Sequence, residues 1–376
     1  MSEKFLIHYE DANGRKADFL PHDSNQLDIE PLTFEHLASV ATGENQSFPL
    51  RILNASSPTE QTGLAIAGPL SVSMNVTLHA DLGIYGIVPG GWLPLPFASK
   101  KIALLDRNVF IRLGKLRSQL ENDDLDSPSS WLYRRIGLDS EIVSPILFAI
   151  EGKNQRAPTN IEMREELIRA GHNLSIGLPH AKVQHVNMQQ RKALRNFLFE
   201  HETLLNARRK FLIEISPKLV DPAKPNARLK REQEVFLHAA THKLRRTDLV
   251  VIAAISCIYD SSPELPSHKI YRPGRAIIKP KPKYTSKMSY NAVADIFSLE
   301  ILINSYALLN NCDTVIYTED QGLVAFWTAL KPSEFRSENF SLNKGRAIVK
   351  ITMTSALTPA LNEDERVALA GRLESS

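Results

Sequence analysis

Short apolar runs that stop on an acid recur along this chain. IALL (102–105) ends on Asp106, and a second apolar stretch, Val109 to Leu113, begins just beyond it. DTVIYT (313–318) ends the same way, on Glu319 and Asp320. A brief apolar run bounded by polar residues reads as a buried strand, and apolar positions at helical spacing read as a helix. KKIALLDRNVFIRL is therefore a strand followed by a helix start. SEIVSPILFAIEG (140–152) is a short strand, a Ser-Pro helix entry and an apolar helix ending near Glu151. Residues 188–215 and 226–246 carry helical periodicity and good helix formers. DLVVIAAISCIYD opens on Asp248, and ADIFSLEILINSYALLNN (294–311) on Asp295, each acid placed where a helix dipole favours it. The Pro/Lys-rich stretch 261–287 reads as a loop or arm, and RAIVKITMT (346–354) as a strand. Upstream, SVSMNVTLHADLGIYGIV (71–88) is strand-like and PGGW (89–92) a turn. No internal repeat is visible.

Strands alternating with helices predict an α/β fold. Three segments are expected: an N-terminal acidic, mostly β module (1–98), an α/β domain (99–330) and a C-terminal extension (331–376). The middle segment carries a basic helical insertion at about 188–246 and a Pro/Lys-rich arm at 261–290.

Charge sharpens this division. The formal net charge is only +3. Yet residues 1–98 hold 4 Lys/Arg against 11 Asp/Glu, residues 191–246 hold 14 against 6, and residues 261–290 hold 7 against 1. The middle of the chain can attract a polyanion while the whole looks neutral, although any single stretch reads equally as a solvated helix face. Apolar residues make up 43% of the chain, enough for a sizeable core. No apolar run approaches the roughly 18 residues of a membrane helix, and MSEKFLIHYEDANG lacks a secretory pattern. Cys257 and Cys312 sit in apolar surroundings, as buried free thiols do. These features predict a cytoplasmic protein.

The acids suggest chemistry. Ligands of open α/β sheets bind at the carboxyl ends of strands. Asp106 and Asp320 follow strands directly, and Asp248 and Asp295 are expected at helix N-termini on the same edge. Four carboxylates there repel one another and raise one another's pKa unless a cation lies between them. Mg2+ and Mn2+ prefer oxygen ligands, and two such ions support in-line attack at phosphorus.

With those residues in view, the chain resembles the PIN-domain nucleases. LLDRNVFIRL is similar to their first motif, with Asn108 matching and Arg107 where Thr or Ser is usual. IVSPILFAIEG is similar to the second and offers Glu151. VIYTEDQGL is similar to the last and offers Thr318, Asp320 and Leu323. RRTDLVVIAAI and ADIFSLEIL both resemble the Asp-led helix, so either Asp248 and Asp295 both line the site or one of them is structural. The resemblance covers roughly residues 100–330 and departs from the compact family through the insertion. Glu162, Glu165 and Glu166 in NIEMREELIRAG compete with Glu151 for the second acid.

The resemblance implies a three-layer domain with a central parallel sheet and a metal-dependent endoribonuclease. RNA is the implied substrate, single-stranded DNA the other candidate, and a 5′-phosphate and a 3′-hydroxyl the products. Asp106, Glu151, Asp295 and Asp320 are the expected Mg2+ or Mn2+ ligands, with Asp248 in the catalytic set and Asn108 and Thr318 orienting them. Lys279, Lys281 and Lys283 of the arm are the expected phosphate contacts, and Tyr271 and Tyr284 its candidate stacking residues. A toxin-like or antiviral effector, with an antitoxin or regulatory protein as partner, and an RNA-processing enzyme are both compatible with such an activity. A non-catalytic nucleic-acid-binding or assembly protein on the same fold is the alternative. His238 and His242 lie four apart on a helix but lack a third zinc ligand. Lys115, Arg164 and Arg169 are further basic residues within reach of a phosphate. No P-loop or G-x-S-x-G motif occurs, and Asn108 replaces the second Asp of a dehalogenase-type phosphatase.

Overall fold

The computed structural model describes residues 7–10, 16–19, 27–41, 46–55, 72–78, 83–98, 102–120, 141–151, 158–179, 181–260, 271–308, 313–338 and 346–374. In chain order the strands are β1 (Ile7–Glu10), β2 (Lys16–Phe19), β3 (Leu27–Ile29), β4 (Gln46–Ala55), β5 (Val72–Leu78), β6 (Tyr85–Val88), β7 (Gly91–Pro94), β8 (Ile102–Leu105), β9 (Ile142–Ser144), β10 (Lys182–Val183), β11 (Thr314–Thr318), β12 (Ser333–Glu338) and β13 (Arg346–Lys350). The helices are α1 (Phe34–Ala41), α2 (Arg107–Leu120), α3 (Ile146–Glu151), α4 (Asn160–Gly177), α5 (Met188–Ile215), α6 (Arg228–Thr241), α7 (Leu249–Ile258), α8 (Pro273–Ile278), α9 (Ser286–Leu308), α10 (Gln321–Leu330) and α11 (Glu363–Glu374).

The fold is mixed α/β. Its main sheet has six strands in the order β10-β9-β8-β11-β6-β7. The first four are parallel, and β6 and β7 run antiparallel on the far side of β11. Parallel strands need covering on both faces, so they read as continuous apolar runs. IALL and TVIYT fit: Ala103, Leu105, Val315, Ile316 and Tyr317 are fully buried.

The expected boundary at residue 98 does not coincide with the edge of this sheet. β6 pairs with β11, Tyr85 opposite Thr318, and β7 follows through the Pro89-Gly90 turn. Trp92 and Trp327 are fully buried here, and Trp327 Nε1 donates to Val88 O (2.7 Å). Strand pairing is a long-range choice that alternation in residues 71–92 cannot reveal. Among the described strands, β1–β5 stand in separate sheets, as does the hairpin β12–β13.

The basic stretch forms α5 and α6, packed against α7. The expected arm is a loop only in part. Residues 261–270 lie outside the described residues, but 273–278 form α8, which is buried against α7 and α10. A Cβ on Gly274 would overlap Ala253 O and the Ser256 side chain, so only glycine permits this approach. α9 begins at Ser286, inside the expected arm. The C-terminal hairpin β12–β13 packs on α9. No described helix is long and apolar enough to cross a membrane. Cys257 is buried as a free thiol, with burial pushing its pKa up; Cys312 lies outside the described residues.

Candidate active site

Chain order reverses between β8 and β11. From β8 the chain steps to β9 and β10 on one side, and β11 then pairs on the other. Open α/β sheets bind ligands outside the carboxyl ends of the strands at such a reversal. Asp106 follows β8 and Thr318 ends β11 at that point. Asp106 N donates to Tyr317 O (3.0 Å), so the residue is still held by the ladder. The buried Thr318 hydroxyl donates to Asp106 Oδ2 (2.7 Å) and accepts from Asp320 N (3.0 Å). A single hydroxyl thus ties both acids to the sheet edge. Asp106 Oδ1 accepts from Arg107 N (2.7 Å). Asp320 caps α10, its Oδ1 accepting from Gly322 N (2.7 Å) and Leu323 N (3.2 Å).

Two more acids come from helices. Asp106, Glu151 and Asp295 line one cavity of about 80 Å³ together with Arg209 and Tyr290. The expectation that Asp295 opens a helix is not met. α9 starts at Ser286, which places Asp295 well inside it. The Pro/Lys composition upstream suggested a loop, but SKMSYNAVA has no breaker beyond Pro282 and simply extends the helix. A mid-helix carboxylate has no free backbone N–H groups to accept from, and Asp295 faces the other acids instead.

The electrostatics follow from this crowding. Burial raises the Asp106 carboxyl above its ordinary range and the charge of Asp320 adds to it, while the bonds from Thr318 and the Arg107 amide work against the rise. Asp295 is raised well above its ordinary range, first by burial, then by Asp320, Asp106 and Glu151, with Lys279 opposing. Burial pushes Glu151 up to about 7; the charge of Arg107 counteracts this and Asp106 reinforces it.

Lys279 joins Arg107 as a cation acting on the cluster. It ends α8 in a left-handed conformation (φ 54°), and its Nζ donates to Asp320 Oδ2 (3.2 Å). Burial opposes its charge, but Asp320, Asp295 and Asp106 outweigh that and raise its pKa. A Cβ on Gly322 would lie 3.0 Å from Ala276 O, so α8 and the start of α10 are in close contact beside this pair. The sequence suggested an arm lysine for Lys279; the fold seats it at the acids. Lys281 and Lys283 stay exposed.

Other candidates lie elsewhere. Asp248 caps α7, its Oδ1 accepting from Val250 N (3.0 Å) while Oδ2 accepts from Arg208 Nε (2.9 Å). Arg208 also donates to both oxygens of Glu300 (2.7 and 2.5 Å). Of the two Asp-led helices, then, only Asp295 joins the cluster. Asn108 is exposed in the first turn of α2, and among the described residues no hydrogen bond links it to a carboxylate. Glu162 completes a capping box with Thr159, Glu166 pairs with Arg169 and Glu165 is exposed. Glu151, not these rivals, reaches the cavity.

His238 and His242 both meet Glu214 Oε2 (3.2 and 2.9 Å). Tyr284 is buried with its hydroxyl on Ile278 O (2.6 Å), and Tyr271 packs edge-on against Phe34, so both rings are engaged within the fold. The sequence did not single out Arg209 and Tyr290. Tyr290 donates to Glu151 O, and Arg209 lies over its ring, 5.4 Å from the centroid. In the RRK run nothing separates Arg209, at the cavity, from Arg208, buried in a salt bridge.

Among the described residues, no three Asp, Glu, His or Cys side chains converge tightly enough to form a ready metal cage. No protein-family model matches this chain, and neither does any curated protein or solved structure.

Proposed function

We propose that this protein hydrolyses phosphodiester bonds in RNA, with Mg2+ or Mn2+ held by Asp106, Asp295, Asp320 and Glu151. One observation carries the reading. Four carboxylates from four separate elements crowd the reversal point of the sheet, where burial and then neighbouring charge raise the pKa of Asp106, Glu151 and Asp295, and Lys279 pairs with Asp320. Carboxyls crowded in a cleft with raised pKa values are candidates for a functional site. The donor set suits a hard divalent ion, being all carboxylate oxygen with no thiol or imidazole. The resemblance of LLDRNVFIRL and VIYTEDQGL to PIN-domain motifs supports the same reaction.

When bound, the cation supplies positive charge against the phosphate and acidifies water at neutral pH. Thr318 holds Asp106 through its Oδ2 and Asp320 through its backbone N–H at the same edge. Glu151, raised to about 7, would give up its proton on meeting the cation. Arg209 and Lys279 would hold phosphate oxygens of the substrate.

The test is to incubate the purified protein with labelled RNA and single-stranded DNA, in Mn2+ or in chelator, beside Asp106→Asn. RNA cleavage that needs Mn2+ and vanishes in the variant is expected. Equal cleavage by Asp106→Asn would overturn this assignment. RNA binding without cleavage would make the protein a binding module.

A further inference from the structure

We propose a second, anion-binding groove on the same sheet edge, built to hold a phosphate of the substrate chain two steps from the one being cut; it rests on the nuclease reading above. The groove, of about 290 Å³, is lined by Arg164, His172 and Ser175 of α4, Arg191 of α5, and Gln184 and His185 between them. No carboxylate lines it. Among the described residues, neither arginine side chain nor either histidine is engaged in an ion pair. Arg191 Nε and Gln184 Oε1 are buried without a partner, which is costly unless a ligand completes them. The Gln184 amide can present its NH₂ to an anion by a simple turn. Two guanidinium forks around such a space suit phosphate oxygens better than any neutral ligand.

Its position gives the groove meaning. Pro145, which also lines it, follows β9, and Gln184 and His185 follow β10. Both strands are parallel to β8, with Ser144 opposite Leu104 and Val183 opposite Val143. The groove therefore opens at the carboxyl edge that carries Asp106. β10 lies two strand spacings from β8, roughly 10 Å, more than one nucleotide step and within the reach of two steps along an extended single strand. Among the described residues the short helix α3 links the two: Leu147, Ile150 and Glu151 line the acid cavity, and Pro145 at its start lines the groove. A strand laid along the sheet edge would meet the acids and this groove in turn.

Gly171 provides a clean probe. It lines the groove, and a Cβ there would meet nothing within 4 Å. Gly171→Glu puts a carboxylate into the groove without a clash, and Gly171→Ala is the matching control. The measurement is anisotropy of a labelled 12-nucleotide single-stranded RNA, titrated in chelator so that no cleavage is required. Gly171→Glu and Arg164→Glu should each weaken binding about tenfold and flatten its salt dependence by about one phosphate contact. Gly171→Ala should bind as the parent does. RNA affinity and salt slope unchanged in Gly171→Glu would overturn the groove. So would tight calorimetric binding of inorganic phosphate that Gly171→Glu abolishes while RNA binding persists, since the site would then serve a free anion. Failures of the two readings separate. Normal RNA binding by Gly171→Glu beside Mn2+-dependent cleavage discards only the groove. The expected binding losses in a protein that never cuts RNA discard only the nuclease.

Discussion

Two populations of withdrawn carboxylates coexist in this molecule. Glu232, Asp248 and Asp260 each meet a guanidinium: Arg372 Nε on Glu232 (2.5 Å), Arg208 Nε on Asp248 (2.9 Å), Arg275 Nε on Asp260 (2.6 Å). Tyr259 adds a hydroxyl to Glu232 (2.5 Å). Asp106, Glu151 and Asp295 are half-buried and act on one another through their charges, with Lys279 on their neighbour Asp320. The first population fastens helices together. Arg208 ties α5 to the cap of α7 and to α9, and Arg372 ties α11 to α6. The second population destabilises the fold while no cation is bound. That asymmetry separates structure from chemistry: removing an acid should weaken the protein at one place and relieve it at the other.

The largest effect is expected on activity. Asp106→Asn or Asp320→Asn should lower Mn2+-dependent RNA cleavage at least a thousandfold, about 4 kcal/mol in the barrier, with the double variant no worse than either single. Asp295→Asn should cost at least tenfold. In chelator, Asp106→Asn and Asp295→Asn should melt higher than the parent by calorimetry, because one repelling charge is gone. A lower melting temperature in both would place these acids with the structural population.

The next effect is on stability alone. Arg208→Met leaves Asp248 and Glu300 as uncompensated buried charges and should cost about 3–5 kcal/mol in urea unfolding. Asp248→Asn still caps α7 and should keep cleavage within threefold of the parent below its melting range. A tenfold activity loss in Asp248→Asn would return that residue to the active site.

These two acids also measure what the sequence discloses. Asp106 and Asp320 were legible because each follows an apolar run, and strand, acid and edge are local facts. That Asp248 caps a helix was legible for the same reason. Its partner Arg208 was not, since the pair joins residues far apart in the chain. Asp295 was found by its motif but given the wrong helical position, because proline and lysine masked the start of α9. Lys279 was singled out as an arm lysine, but nothing local placed it at the acids. The tight packing of α8, permitted by Gly274, brings it to Asp320.

A smaller effect concerns pH. A carboxyl whose folded pKa lies above its unfolded value favours the fold at low pH and stops doing so as pH rises through the folded value. For Glu151 that interval runs from its ordinary 4.5 to about 7. The melting temperature in chelator should therefore decline across it, with Asp106 and Asp295 acting in the same direction. Mn2+ at pH 7.5 should restore it, and Glu151→Gln should flatten the decline. A flat profile in the parent would remove the distinction between the two populations.

The smallest effect belongs to the exposed lysines. Lys281→Glu or Lys283→Glu should weaken RNA binding only about two- to threefold, with the salt slope falling by up to one phosphate contact. Lys279→Gln should lower the chelator melting temperature by a few degrees, because Asp320 loses its cation, while the other two leave it unchanged. Equal behaviour of all three would mean that Lys279 is an arm residue after all.

The hairpin β6–β7 has a consequence for anyone dividing this protein into parts. β11, which delivers Thr318 and Asp320, is hydrogen-bonded along one side by β8 and along the other by β6. Expression from residue 99 onward would strip that second side and leave TVIYT as a bare, flat, apolar margin, open to pairing with another molecule. The fragment most tempting to clone as the minimal enzyme is thus the one most prone to precipitate. A boundary upstream of Ile84 keeps the margin closed, and with it the acids that β11 carries.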